Sequence, residues 1–134
     1  WNWAPDWDVV RDIYSTFPNS YSVLTPFAFT YLEELIRSRT TEYKMYVVDK
    51  EGHEHTHRAG QKLLKLARSE NQDDPEFLRL LDEVSNYFSA GYADLGASNR
   101  NNVMHGSLHP QYWTKEQFES LISDIARLSP YAGF

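Results

Sequence analysis

The segment Asn99-Arg100-Asn101-Asn102-Val103-Met104-His105-Gly106 gathers an arginine, three amides and a histidine into one short stretch. A guanidinium presents a rigid fork of donors that matches the oxygens of a phosphate. An imidazole exchanges a proton near neutral pH. Together they are the minimum kit for holding or attacking a phosphodiester. Four residues separate Arg100 from His105, and no other part of the chain carries a catalytic set this compact. A plainer reading uses the same residues. Arg100 would cap the C-terminus of a preceding helix, His105 would be a packed, hydrogen-bonded imidazole, and Asn99, Asn101 and Asn102 would make turns.

A second group invites chemistry of another kind. His53, His55 and His57 alternate along the chain. On a strand they would project from one face, where a divalent metal would sit. The spacing specifies no carboxylate or fourth ligand, which favours a solvated histidine run beside a turn.

The elements that must position these residues read as helices. Asp6 is expected to cap a short helix through Tyr14, flanked by Trp1, Trp3 and Trp7 as packing anchors. A second helix is expected from Ser22 or Thr25, with Pro26 in its first turn and Phe29, Leu32, Leu35 and Ile36 on its apolar face. Glu33, Glu34, Arg37 and Arg39 fall elsewhere on the wheel, and Glu33 with Arg37 suits a surface ion pair. Tyr43–Val48 favours a strand, and a turn at 49–52 completes a small β-hairpin insertion around 43–58. A helix follows from about His57 to Ser69. Asp74 and Pro75 open another, whose stripe runs from Phe77 to Phe88. The last helix begins at a capping box, Thr114 to Gln117, with Trp113 and Phe118 as a staple. Phe118, Leu121, Ile122 and Ile125 face inward.

The expected fold class is therefore all-α, a bundle of about five helices, with residues 1–134 forming a single domain. At 134 residues and 41% hydrophobic composition, the chain is long and apolar enough to bury a core. It contains no cysteine, which excludes disulfides and thiolate chemistry and fits a reducing, cytoplasmic setting. No apolar run is long enough to span a membrane. The chain opens on Trp1 rather than Met, so it is expected to be part of a longer protein. Thirteen Lys and Arg stand against nineteen Asp and Glu, a net charge of −6. That balance argues against broad, sequence-independent binding of nucleic acid. A local basic cleft is still compatible with it, built from Arg37, Arg39, Lys44, Arg58, Lys62, Lys65, Arg68 and Arg100.

An all-α bundle with Arg100-Asn101-Asn102-Val103-Met104-His105 late in the chain resembles the HEPN superfamily (higher eukaryotes and prokaryotes nucleotide-binding domains). The hallmark of that superfamily is Arg, four to six residues, then His, with Asn, Asp or His often following the Arg. The resemblance spans the chain from about Trp7 to Leu128. It leaves the acidic net charge and the 43–58 insertion unexplained. It implies a metal-independent endoribonuclease without cofactor, in which the ribose 2′-OH attacks the adjacent phosphorus and leaves 2′,3′-cyclic phosphate and 5′-OH ends. His105 would transfer the proton, Arg100 would stabilise the phosphorane oxygens, and Asn101 would orient its neighbours or contact the phosphate. Asn99, Asn102 and His109 would help bind RNA. A homodimer would bring two copies of the motif together across a two-fold cleft. The resemblance also implies roles in defence, with a cognate inhibitor or further domains. Because HEPN folds have lost catalysis in many lineages, an inactive dimerisation or RNA- or protein-binding module is the alternative; a His-rich metal-binding module is a second.

Overall fold

Helix α2, Tyr21–Arg37, is apolar around most of its circumference and is therefore surrounded. Leu24, Ala28, Phe29, Tyr31, Leu32, Leu35 and Ile36 are all buried. The computed structural model describes residues 3–44, 57–88, 100–104 and 114–134. Within them, α3 (Gly60–Glu70), the five-residue α5 (Arg100–Met104) and α6 (Lys115–Leu128) pack directly on α2. Helix α4 (Pro75–Val84) packs against α3 and α6, and a 3-10 turn at Ser85–Phe88 extends it toward α3 and α5.

Helix α1 (Ala4–Thr16) buries no residue completely. Its tryptophans hold it in place: Trp3 and Trp7 each meet the rings of Phe27 and Tyr31 edge-on, at centroid distances of 5.0–5.9 Å. Both act as packing anchors. Tyr14 continues the contact to α6, with its ring 5.3 Å from that of Phe118 and its hydroxyl donating to Glu119 at 2.8 Å. Tyr87 donates to Asp124 of the same helix at 2.7 Å.

The all-α class is the observed one. Five helices have ten or more residues, α5 adds one short turn, and no strand occurs among the described residues. On α3, Leu63, Leu64 and Ala67 turn inward while Lys62 and Lys65 face out. Asp74 accepts from the Phe77 amide at 3.1 Å, and Thr114 and Gln117 form a reciprocal capping box.

Several boundaries differ from expectation. Asp6 lies within the first turn of α1, whose cap position is Trp3 with no side-chain hydrogen bond. Helix α2 starts at Tyr21, so Pro26 sits in its second turn rather than its first. Burial of Leu24 and Thr25 stabilises that extra turn, and the Thr25 hydroxyl donates to the Tyr21 carbonyl at 2.7 Å. Tyr43 and Lys44, expected to open a strand, end a 3-10 turn at Thr41–Lys44. Local β-propensity yields there to the continuation of the chain from α2. The rest of the expected hairpin, 45–56, lies outside the described residues. Helix α3 begins at Gly60, three residues after the expected start.

Candidate functional site

Helix α5 is too short to be stable alone, since nucleating one helical turn is unfavourable without tertiary support. Among its described side chains, two tie it to the bundle. Val103 is buried to 5% exposure within the core cluster. Arg100, three residues earlier and so on the same face, donates from Nη2 to Oε2 of Glu33 on α2 at 2.8 Å. Met104, the last residue of α5, is 38% exposed.

The Arg100–Glu33 pair is set deep, with side-chain exposures of 13% and 10%. A buried carboxylate must have both oxygens satisfied. Glu33 meets that requirement: its other oxygen, Oε1, accepts the Gly60 amide at 2.8 Å. Gly60 has φ +56°, a left-handed conformation that glycine adopts without strain. A Cβ at Gly60 would meet nothing within 4 Å, so only the backbone conformation calls for glycine. One carboxylate thus joins α2, the start of α3 and α5.

This overturns the surface ion pair expected between Glu33 and Arg37. Arg37 pairs instead with Glu34 at 2.7 Å and donates to the Arg58 carbonyl at 2.9 Å. The signal for burial of Glu33 was in the sequence. Phe29, Leu32, Glu33 and Ile36 share one face of α2, so Glu33 interrupts the apolar stripe instead of lying opposite it. Nothing in the sequence named its partners, which arrive from 27 and 67 residues away. Arg100 braces α5 against α2 through Glu33; the segment 89–99, where a preceding helix end would lie, is outside the described residues.

The basic cleft assembled from sequence is not what the arginines form. Arg37, Arg39, Arg58, Arg68 and Arg100 each pair with a carboxylate, respectively Glu34, Asp74, Glu42, Asp82 and Glu33. Their positive charge is compensated locally. Arg39 is heavily committed. It donates to Asn71 Oδ1 at 3.0 Å, to Asp74 Oδ2 at 2.9 Å and to the Tyr131 carbonyl at 3.3 Å, with its guanidinium 4.9 Å from the centre of the Phe77 ring. Asn71 in turn donates to the carbonyls of Arg39 and Ala67.

Of the sequence-derived site residues, Arg100, Asn101 and Asn102 belong to α5. The side chains of Asn101 and Asn102, and the whole of Asn99, His105 and His109, lie outside the described residues. So do His53 and His55; His57 is half-buried ahead of α3. Among the described residues, no cluster of three or more His, Asp or Glu is arranged to hold a metal ion, and no helix is long and apolar enough to cross a membrane. A separate apolar groove of about 270 Å³ lies between α1 and α6, lined by Trp7, Val10, Tyr14, Phe118 and Ile122, with Arg11 and Glu119 at its edge. Burial first, then the facing carboxylates, push the phenols of Tyr14 and Tyr87 above their ordinary value, Tyr14 to about 12. Comparison with protein-family models, with curated proteins and with solved structures finds no significant match to this chain.

Proposed function

We propose that the chain is an HEPN-like domain acting as a metal-independent endoribonuclease, with Arg100 and His105 as its reacting pair. The observation that carries this reading is the setting of Arg100. Its guanidinium is oriented by a carboxylate that is itself fixed at both oxygens, on a short helix in an all-α bundle. A preoriented guanidinium stabilises charge on a phosphorane without reorganising as the reaction proceeds. His105, two residues beyond buried Val103, would take the 2′-OH proton as the oxygen attacks phosphorus. The P–O5′ bond breaks, the leaving oxygen gains a proton, and 2′,3′-cyclic phosphate and 5′-OH ends result. Asn101 would hold a phosphate oxygen or a neighbouring side chain, and Asn99, Asn102 and His109 would contact RNA. Two copies would combine their motifs in a homodimer, and a cytoplasmic setting belongs to the same reading.

The depth of the Arg100–Glu33 pair favours a second reading, an inactive module of the same fold. There the guanidinium is a strut whose charge Glu33 neutralises, and the domain serves dimerisation or binding. RNA cleavage and thermal unfolding measured on the same proteins separate the two. In the nuclease reading, His105→Ala lowers the cleavage rate by on the order of 10²–10⁴ with little change in melting temperature, and cleavage survives EDTA. Arg100→Lys keeps the charge against Glu33 but loses the planar fork, so it also cleaves poorly. Absence of cleavage by wild type, or cleavage by His105→Ala at the wild-type rate per folded molecule, favours the inactive module. Activity abolished by chelator and restored by zinc overturns the metal-independent mechanism.

A further inference from the structure

We infer that Glu33 is a positioning residue for the proposed reaction, acting on RNA phosphate through Arg100. This inference rests on the nuclease reading above. Its basis is the division of one carboxylate between two tasks. Oε1 is anchored by the Gly60 amide at 2.8 Å, and Oε2 receives Arg100 Nη2 at 2.8 Å. The anchor matters because arginine has many side-chain rotamers. A carboxylate that could itself swing would not fix the guanidinium. Glu33 cannot swing: it is 7% exposed, is flanked by the fully buried Leu32 and by Leu35, and has its far oxygen tied to α3. The positive φ of Gly60 gives the first residue of α3 the backbone conformation from which its N–H reaches that oxygen.

The arrangement differs from the Arg39–Asp74 contact in what the carboxylate serves. Asp74, the partner of Arg39, caps its own helix α4 through Phe77. Glu33 lies in the interior of α2, and its partners come from two other elements: the first amide of α3, one of the N–H groups a helix start leaves open, and the Arg100 guanidinium. Apolar residues of similar volume often match or better a buried ion pair in stability, so stability alone does not account for the charge. Beside that cap, the carboxylate holds the Arg100 guanidinium against α2 through a hydrogen bond, on the short helix that Val103 ties to the core.

The test is a double-mutant cycle on RNA cleavage, scored per folded molecule, with Arg100→Lys as the second background. Glu33→Gln keeps an acceptor for Gly60 and removes the charge that holds the fork. It is expected to lower kcat by on the order of tenfold, within the range of coupling between side chains in contact, with a much smaller change in KM. In the Arg100→Lys background the same change is expected to add little, because no fork is left to orient. Glu33→Asp keeps the buried charge but withdraws it by one methylene. It replaces the Gln variant if that protein does not fold, and it is expected to lose cleavage as well. Wild-type cleavage by a folded Glu33→Gln or Glu33→Asp protein overturns the inference while leaving the nuclease reading intact. An equal loss from Glu33→Gln in both backgrounds also overturns it, since Glu33 would then act independently of Arg100. If wild type does not cleave RNA at all, the nuclease reading fails and the inference fails with it.

Discussion

The middle of α2 and the chain just past its C-terminal end both set an arginine against a carboxylate, but the two clusters are wired in opposite ways. Near the end, the arginine is the hub. Arg39 reaches the α3–α4 connection through Asn71, the cap of α4 through Asp74 and the C-terminal tail through the Tyr131 carbonyl. The tail is bound a second time, where the Gly133 amide donates to Ser38 Oγ at 2.9 Å; a Cβ at Gly133 would come within 2.1 Å of the Ser38 carbonyl oxygen. In the middle, the carboxylate is the hub, and Glu33 accepts from Gly60 and Arg100. The difference shows which arginine is committed to architecture. Arg39 satisfies groups that folding itself has left open, a carbonyl and a helix cap. Arg100 satisfies the second oxygen of a carboxylate whose first oxygen already serves the start of α3.

The contrast is sharpest when each arginine is removed. Arg100→Ala leaves a carboxylate at 10% exposure with its charge uncompensated. Chemical denaturation should show a loss of about 3–5 kcal/mol, the usual cost of breaking a buried pair from one side. A loss near zero would mean that water reaches Glu33 freely. Arg39→Ala should cost less, about 2–3 kcal/mol, because Arg39 and Asp74 are about a quarter exposed and water can take over part of the lost bonding. Under the proposed nuclease reading, its cleavage per folded molecule should stay at the wild-type level, whereas Arg100→Ala should lose cleavage as well as stability.

Removing both charges should then separate the clusters. Glu33→Gln with Arg100→Met keeps an acceptor for Gly60 and replaces the ion pair by apolar contact, so stability should return to within about 1 kcal/mol of wild type. Arg39→Met with Asp74→Asn should remain about 2 kcal/mol less stable, because Asn71 and the Tyr131 carbonyl lose their donor. Equal recovery in the two double variants would erase the distinction drawn between a hub of folding and a pair of positioning.

The smallest effect comes from a perturbation that spares both clusters. The Tyr14 phenol, raised to about 12 by burial and then by Glu119, holds its proton more tightly in the folded chain than at its ordinary value of 10.0. Its contribution to stability is complete below that ordinary value and is lost as pH rises through about 12. Phenolate absorbance should therefore show Tyr14 titrating late, and Glu119→Gln should move its titration back toward the ordinary value while leaving RNA cleavage unchanged. An unmoved titration would show that Glu119 does not hold the phenol.

Much of this was legible in one dimension. The stripes of α2, α3, α4 and α6 repeat every three to four residues, and a helix whose apolar residues align this way must bury that face. Asp74 before Pro75, and Thr114 three residues before Gln117, stop or start helices through contacts within four residues, so their geometry follows from local sequence. Arg100 stood out by its type and spacing from His105. Its partner did not. Glu33 looked like surface charge because another arginine, Arg37, stood one turn away, and pairing along a helix is the contact a sequence displays most readily. Likewise, the arginines that read together as a basic cleft were each claimed by a carboxylate. Arg58, for example, pairs with Glu42, sixteen residues earlier. Sequence by itself determined that these segments form helices, where α4 and α6 start, and which faces turn inward, because those follow from local capping contacts and the period of apolar residues. Only the tertiary structure decided which acid meets which base: a charge selects its partner by distance in space, and bundle packing brings Gly60 and Arg100 to the same carboxylate on α2.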